Sequence, residues 1–328
     1  MISTVHLKKY FPVVSGIRSL FSGSKGKYVK AVDDVSFDIA RGQVLGLAGE
    51  SGCGKTTTGR VIVGLEAPTA GDVFINDQSC QQLKNQDPKR FYRLVQMIFQ
   101  DPYGSINPQH NVVQILTRPL RYQGISDKQA VNRKAVETLE LVGLSPAPEY
   151  LEQYPHQLSG GQRQRICIGR AIILDPQFLV ADEPISMLDV SIKSGILKLL
   201  KDLIQQKNLS LLYITHDLAT VGHICNAIAI MYLGRIVEIG PTAEVLDHPR
   251  HPYTRALISA IPIPDPDSNR KSINISGAVP DPINLPAGCR FNPRCPRAVS
   301  ACRATEPALE VQGPGESHKV ACYRALVD

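Results

Sequence analysis

Eight consecutive residues, Gly49, Glu50, Ser51, Gly52, Cys53, Gly54, Lys55 and Thr56, have the spacing G-x4-G-K-(S/T) of a loop that closes around phosphates. Small residues there let successive backbone N–H groups turn toward one anion, and a helix starting at the loop adds its positive end. Lys55 supplies a charge for the outer phosphates of a nucleotide such as ATP, and the Thr56 hydroxyl suits a Mg²⁺ ion. Thr57, next in line, is counted with the phosphate-binding residues. A second set is Phe178-Leu-Val-Ala-Asp182-Glu183, an apolar run ending in two carboxylates. At a strand's C-terminal edge Asp182 can hold Mg²⁺ through water, and Glu183 can activate a water against the terminal phosphate. Alone, that pair reads equally well as a solvated acidic strand end. A third set is Ser159-Gly160-Gly161-Gln162. Ser159 can cap a helix with Gln162 completing a capping box, and the two glycines expose N–H groups to a second anion.

These groups need rigid elements behind them. The apolar run Val44–Ala48 leads into Gly49, and a helical stretch follows Lys55, which is the strand–loop–helix context a phosphate loop requires. Val35–Ile39 alternates as a strand, and 71–75 reads as another. Gln177–Ala181 and Leu209–Thr215 read as buried strands, with the helical pattern Val190–Gln206 between them. Ala227–Tyr232 and Arg235–Ile239 predict a hairpin around Gly234. The polar stretch from Pro88 to Arg165 predicts a helical region, with loops at Asp101–Pro108 and Ser145–Pro148. Strands alternating with helices predict an α/β fold with a mostly parallel sheet. After Asp247 the chain turns Pro-rich, at Pro262–Asp267 and Pro280–Pro286, so a boundary is expected near residue 250.

Composition excludes several classes. With 43% hydrophobic and 20% charged residues the chain is globular rather than disordered. No apolar run approaches the ~18 residues of a membrane span, and the N-terminus has no secretory-signal pattern. A net charge of +6, with no Trp and 6% aromatics, gives no reason to expect a nucleic-acid partner. Cysteines Cys289, Cys295, Cys302 and Cys322 crowd into a Pro/Arg-rich segment that is expected to bury little core. Arg290, Arg294, Arg297 and Arg303 lie among them, a positive field expected to favour thiolates. Four thiolates suit Zn²⁺ or an iron–sulfur cluster better than a disulfide framework in a chain without a signal peptide.

Leu158-Ser-Gly-Gly-Gln162, followed by Arg163–Ala171, resembles the signature motif of ATP-binding cassette (ABC) proteins, and the resemblance covers about residues 28–246. It implies a RecA-like parallel-sheet core, an antiparallel β subdomain and an α-helical signature subdomain at about 88–165, all within a nucleotide-binding domain of residues 1–250. It also implies site roles. Gln100 resembles the Q-loop glutamine that meets Mg²⁺ or the attacking water. Asp189, in Ser186-Met-Leu-Asp189, resembles the D-loop aspartate, with Met187 where a small residue is commoner. His216 resembles the switch histidine that senses the terminal phosphate. An aromatic ring before the phosphate loop stacks on adenine in the family; Tyr28 is the nearest candidate, with Phe21 and Tyr10 in reserve. Signature and phosphate loop of one chain face different nucleotides in the family, so a dimer of cassettes is implied.

Leu47–Thr56, Gln100–Pro108, Tyr154–Arg165 and His248–Leu257 resemble the ATPase subunits of dipeptide/oligopeptide importers, closest to the second ATPase of their heterodimeric pair. That resemblance implies a peripheral subunit on the cytoplasmic face of the membrane, a homologous partner ATPase, two permeases and an extracytoplasmic peptide-binding protein. Residues 251–328 then form the C-terminal extension of that group. Some of its members carry a 4Fe–4S cluster on a similar cysteine set, with Zn²⁺ as the alternative ligand here. Relatives carry peptides, nickel, glutathione or sugars. A soluble ABC ATPase of repair or translation is the rival reading, but the long coiled-coil insertion or second cassette usual there is missing.

Overall fold

The computed structural model describes residues 2–13, 27–261, 273, 275, 277–313 and 317–326. Among the described residues there are twelve strands: β1 (Ile2–Pro12), β2 (Tyr28–Ile39), β3 (Val44–Ala48), β4 (Ala70–Ile75), β5 (Gln78–Ser79), β6 (Val95–Ile98), β7 (Phe178–Asp182), β8 (Ser210–Thr215), β9 (Ala227–Tyr232), β10 (Arg235–Pro241), β11 (Glu310–Val311) and β12 (Lys319–Val320). The chain divides into two compact units interleaved in sequence. One comprises Asp38–Val44 and Phe74–Ile214 with the first two residues; the other comprises Ser3–Phe37, Leu45–Val73 and Thr215–Asp328.

In the first unit β6, β7 and β8 are parallel, with Phe178 opposite both Val95 and Ser210. Every residue of β7 and β8 is buried, as expected of central strands covered on both faces. The helices Val112–Tyr122 and Lys128–Leu141 lie within the stretch 88–165 that the sequence reads as helical, and Gly160–Ile172 starts in it and runs past its end. That region also contains β6, which the sequence reading missed. Its four residues, Val-Gln-Met-Ile, are too few to show a period of two.

In the second unit β3 pairs in parallel with β9, Leu45 opposite Ala227. β9 and β10 form the expected hairpin, Tyr232 opposite Arg235. Its turn places both Leu233 (φ 42°) and Gly234 (φ 83°) in the left-handed region, the turn whose twist matches a two-residue hairpin. Strands β2, β1 and β4 lie in that order in a separate sheet. The contacts of Thr4 with Phe37 and of Val13 with Lys27 make β1 and β2 antiparallel. β1 escaped the sequence reading because Ile2–Pro12 mixes Lys, His and Tyr without strict alternation.

The C-terminal segment buries more than its composition suggests. Phe291 is 1% exposed and joins a core with Ala48, Ile230, Tyr232 and Tyr253, against which Cys289 and Cys295 pack. β12 extends the sheet by pairing with β10, Glu238 opposite Val320. Beneath that pairing Glu238 is fully buried and accepts hydrogen bonds from the backbone N–H of Arg250 (2.6 Å) and His251 (3.0 Å). It lies 2.7 Å from His318 Nε2. The Pro-rich run Pro262–Asp267 and Phe21 lie outside the described residues. Among the described residues no helix is long and apolar enough to cross a membrane.

Candidate functional site

The phosphate loop leaves the end of β3 and enters the helix Lys55–Ile62. Its shape requires glycine. Gly49 has φ 154°, and a Cβ there would stand 2.2 Å from the Met231 carbonyl oxygen; at Gly54, φ 110°, it would stand 2.0 Å from that of Ala31. Lys55 is 5% exposed and folds over the loop, its Nζ donating to the carbonyls of Gly49 (2.8 Å) and Glu50 (2.9 Å). The ammonium is thereby fixed at the helix N-terminus, where anions are favoured. Ser51 and Gly52 are exposed, and Thr56 and Thr57 are partly buried in the helix's first turn. Cys53, beside Lys55, is 3% exposed. Burial pushes the thiol up and outweighs the Lys55 charge.

In the first unit Asp182 ends β7 and is 3% exposed. Glu183 follows with φ 45°, a strained conformation for a side chain of its size, fixed by its N–H donating to the Ile214 carbonyl (2.9 Å). Gln100 Nε2 donates to Glu183 Oε2 at 2.8 Å, so the structure brings these two predicted residues together. The segment after Gln100 is tied to the signature helix: the Arg163 guanidinium lies 3.9 Å from the Tyr103 ring centre, and Arg170 donates to the Ser105 carbonyl at 2.5 Å. Tyr103 and Ser105 lie in the Gln100–Pro108 stretch singled out in the sequence, where nothing assigned them these contacts.

The signature helix Gly160–Ile172 starts as its residues dictate. Ser159 Oγ accepts from the Gln162 N–H (3.2 Å), and the Gln162 side chain accepts from the Ser159 N–H (2.8 Å). Gly160 is half-exposed. Gly161 is buried, and a Cβ there would stand 2.8 Å from Ile192 Cγ2, so glycine is needed for close approach to the helix Val190–Lys207. Asp189 is exposed at the start of that helix. Met187 is 59% exposed and makes no demand on the interior. In the second unit His216 is exposed just past β8, and Tyr28 opens β2 at 49% exposure. Tyr10, a reserve for the adenine contact, instead donates its hydroxyl to Asp33.

Cys289, Cys295, Cys302 and Cys322 converge on one small cavity, which His251, Phe291 and Arg297 also line. The expected thiolate-favouring field is reduced to Arg297, whose pull on Cys295 and Cys322 is weaker than the effect of burial. Arg290 turns to Asp33 and the Leu233 carbonyl, and Arg294 to Glu50. Burial pushes the thiols of Cys289 (up to about 11), Cys295 and Cys322 upward. Among the described residues no three His, Cys, Asp or Glu side chains are placed to hold one metal ion.

Two further residues reach the phosphate loop from the chain's last third. The Glu50 N–H donates to Tyr253 Oη at 2.9 Å, and Arg294 takes both Glu50 carboxylate oxygens. Tyr253 belongs to the His248–Leu257 stretch singled out in the sequence, where nothing in its pattern signals this contact.

The phosphate loop, the strained acid beside Gln100 and the glycine-led signature helix define an ATP-binding cassette. Residues 32–186 match the family model described as ABC transporter, and residues 237–302 that of the oligopeptide/dipeptide transporter C-terminal region. A peptide import ATP-binding protein of Brucella ovis is 47% identical over 296 residues, 90% of this chain and 92% of that protein. The dipeptide transport ATP-binding protein DppF of Escherichia coli (strain K12) is 43% identical over 323 residues, 98% and 94% of the two chains. The solved dimeric structure of MJ0796, a bacterial ABC transporter cassette, matches with a TM-score of 0.62 at 25% identity, over 74% of this chain and 99% of that one. The chain belongs to the ABC transporter ATP-binding proteins, in the group that carries the oligopeptide/dipeptide transporter C-terminal region.

Proposed function

We propose that this chain is the ATP-hydrolysing subunit of an importer of di- or oligopeptides. The observation that carries the reading is the pairing, in one chain, of a glycine-shaped phosphate loop over Lys55 with a second anion-ready helix end at Ser159–Gln162. Lys55 and the loop N–H groups hold the phosphates of ATP. Thr56, Gln100 and Asp182 contribute oxygens toward Mg²⁺, whose charge offsets that developing on the phosphates. Glu183 polarises the attacking water, with Gln100 holding its carboxylate, and His216 senses the terminal phosphate. Tyr28 offers its exposed ring to adenine.

The signature residues and Asp189 face the nucleotide of a homologous second ATPase. The exposed apolar side chains of Met187 (59%) and Val190 (84%) beside Asp189 support a covering partner there. Two permeases and an extracytoplasmic binding protein complete the importer, with this chain peripheral on the cytoplasmic face. Residues 1–250 form the nucleotide-binding domain and residues 251–328 the extension. The four C-terminal cysteines are the ligands of a 4Fe–4S cluster that orders the extension. Their convergence on one cavity supports this, since each iron of such a cluster takes a different thiolate.

The test is uptake of a labelled dipeptide by cells that lack the chain's gene but retain the genes of the partner ATPase, permeases and binding protein. Restoration by the wild-type chain and none by Lys55→Ala is the expected result. Equal uptake with and without the chain overturns the peptide reading, and nickel or oligosaccharide uptake in its place reassigns the cargo.

A further inference from the structure

The phosphate loop carries an acid of its own. Glu50 stands immediately after Gly49, in the loop read above as the polyphosphate site, where an unpaired carboxylate repels the anion to be bound. It is not unpaired. Arg294 Nη1 lies 2.8 Å from Glu50 Oε2 and Nη2 3.1 Å from Oε1, the forked geometry that fixes a carboxylate's direction as well as its charge. The two side chains are 8% and 26% exposed, so the pair is little screened by solvent.

Arg294 is itself held. Its guanidinium donates to Tyr232 Oη at 3.3 Å, and its backbone N–H donates to the Phe291 carbonyl at 3.0 Å, in the short turn Asn292–Arg294 just before Cys295. The same face of the loop is gripped at two more points. Tyr253 Oη accepts the Glu50 N–H at 2.9 Å, and the Gly234 N–H donates to the Cys53 carbonyl at 2.8 Å. Arg290 in turn binds the Leu233 carbonyl and Asp33, and the Asp33 N–H returns to the Gly234 carbonyl at 2.8 Å. None of these partners belongs to the G-x4-G-K-(S/T) motif, and Tyr253, Arg290 and Arg294 all lie after residue 250. That chain of contacts makes the extension a wall of the phosphate loop.

We propose that Arg294 is a positioning residue for nucleotide binding, cancelling the Glu50 charge and holding its carboxylate off the phosphates, so that the C-terminal extension sets the loop's affinity for MgATP. The inference rests on the reading of Gly49–Thr56 as the nucleotide loop. It gives Cys289 and Cys295, which bracket Arg294, a route to the ATP site through the backbone they anchor.

The experiment is a titration of the full-length chain with MgATP, read by displacement of a fluorescent ATP analogue. Arg294→Gln weakens binding about tenfold, the effect of one uncompensated charge beside the phosphates. Glu50→Gln, which leaves Arg294 as an extra cation beside the phosphates, binds MgATP more tightly than wild type. The double variant returns to within about threefold of wild type, because removing the second charge removes the repulsion. A merely structural role for Arg294 leaves the double variant as weak as Arg294→Gln, and that result overturns the inference. So does Arg294→Gln binding like wild type, or a tenfold loss in Glu50→Gln, an arm that needs no change to the buried arginine. Lys55→Ala separates the two levels of the argument. Loss there without loss in Arg294→Gln overturns this inference alone, whereas no loss in Lys55→Ala overturns the nucleotide reading beneath it.

Discussion

Acidification should act on this protein through His251. The residue is 1% exposed and caps the helix Pro252–Ser259, its Nδ1 accepting the Tyr253 N–H at 3.0 Å. The Phe291 ring lies 5.7 Å away; Glu238, itself paired with His318, accepts the His251 N–H, Tyr253 packs on the ring, and His251 lines the cavity of the four C-terminal cysteines. Burial lowers the His251 pKa to about 4, with Glu238 opposing. The unfolded chain titrates His near ~6.5. The unfolded state therefore binds the proton first, so the stabilisation is complete above ~6.5 and is lost as pH falls toward 4. Between pH 7 and pH 5 the loss works out at about 2 kcal/mol, from ~1.5 pH units below the unfolded pKa at ~1.36 kcal/mol each. Urea unfolding followed by circular dichroism at the two pH values, in wild type and His251→Asn, measures it. Asn keeps an oxygen to cap the Tyr253 N–H but does not titrate. Wild type should lose about 2 kcal/mol more than the variant over that interval. Equal losses would show that His251 does not carry the pH dependence.

Gly161→Ala should cost about 1–3 kcal/mol in urea unfolding and lower ATP turnover, because its Cβ would press on Ile192 Cγ2 at 2.8 Å; an unchanged unfolding midpoint would deny that close approach. Protein purified without oxygen should hold about four irons per chain if the C-terminal cysteines carry a cluster, and Cys302→Ser should lower the iron and loosen the extension; absence of iron in the wild type would leave the cavity lined by thiols alone.

The residues legible in the sequence are those whose role depends on short-range spacing. The phosphate loop, the capping box at Ser159–Gln162 and the hairpin turn at Leu233–Gly234 are each specified within a few residues, and each forms as read. β6 was lost because four residues cannot show a period, and β12 because two-residue strands exist only through their partner β10. The contacts of Tyr253 and Arg294 with Glu50 were invisible for a different reason. They join residues some 200 or more positions apart (|i−j| 203 and 244), and no local pattern records which carboxylate an arginine will find. For the same reason the arginines among the cysteines were misread as a field on the thiols. The heads of Arg290 and Arg294 turn to Asp33 and Glu50, and burial outweighs the remaining Arg297 charge at Cys295 and Cys322.

The most direct test of the central claim, that this chain hydrolyses ATP with Glu183 acting on the water, is single-turnover hydrolysis of radiolabelled MgATP by the full-length protein. Glu183→Gln preserves size and the contact with Gln100, made at 2.8 Å in the structure, but removes the base. It should bind MgATP like wild type while hydrolysis slows by about 10²–10⁴-fold. Hydrolysis by Glu183→Gln at the wild-type rate, with nucleotide bound, would contradict the assignment.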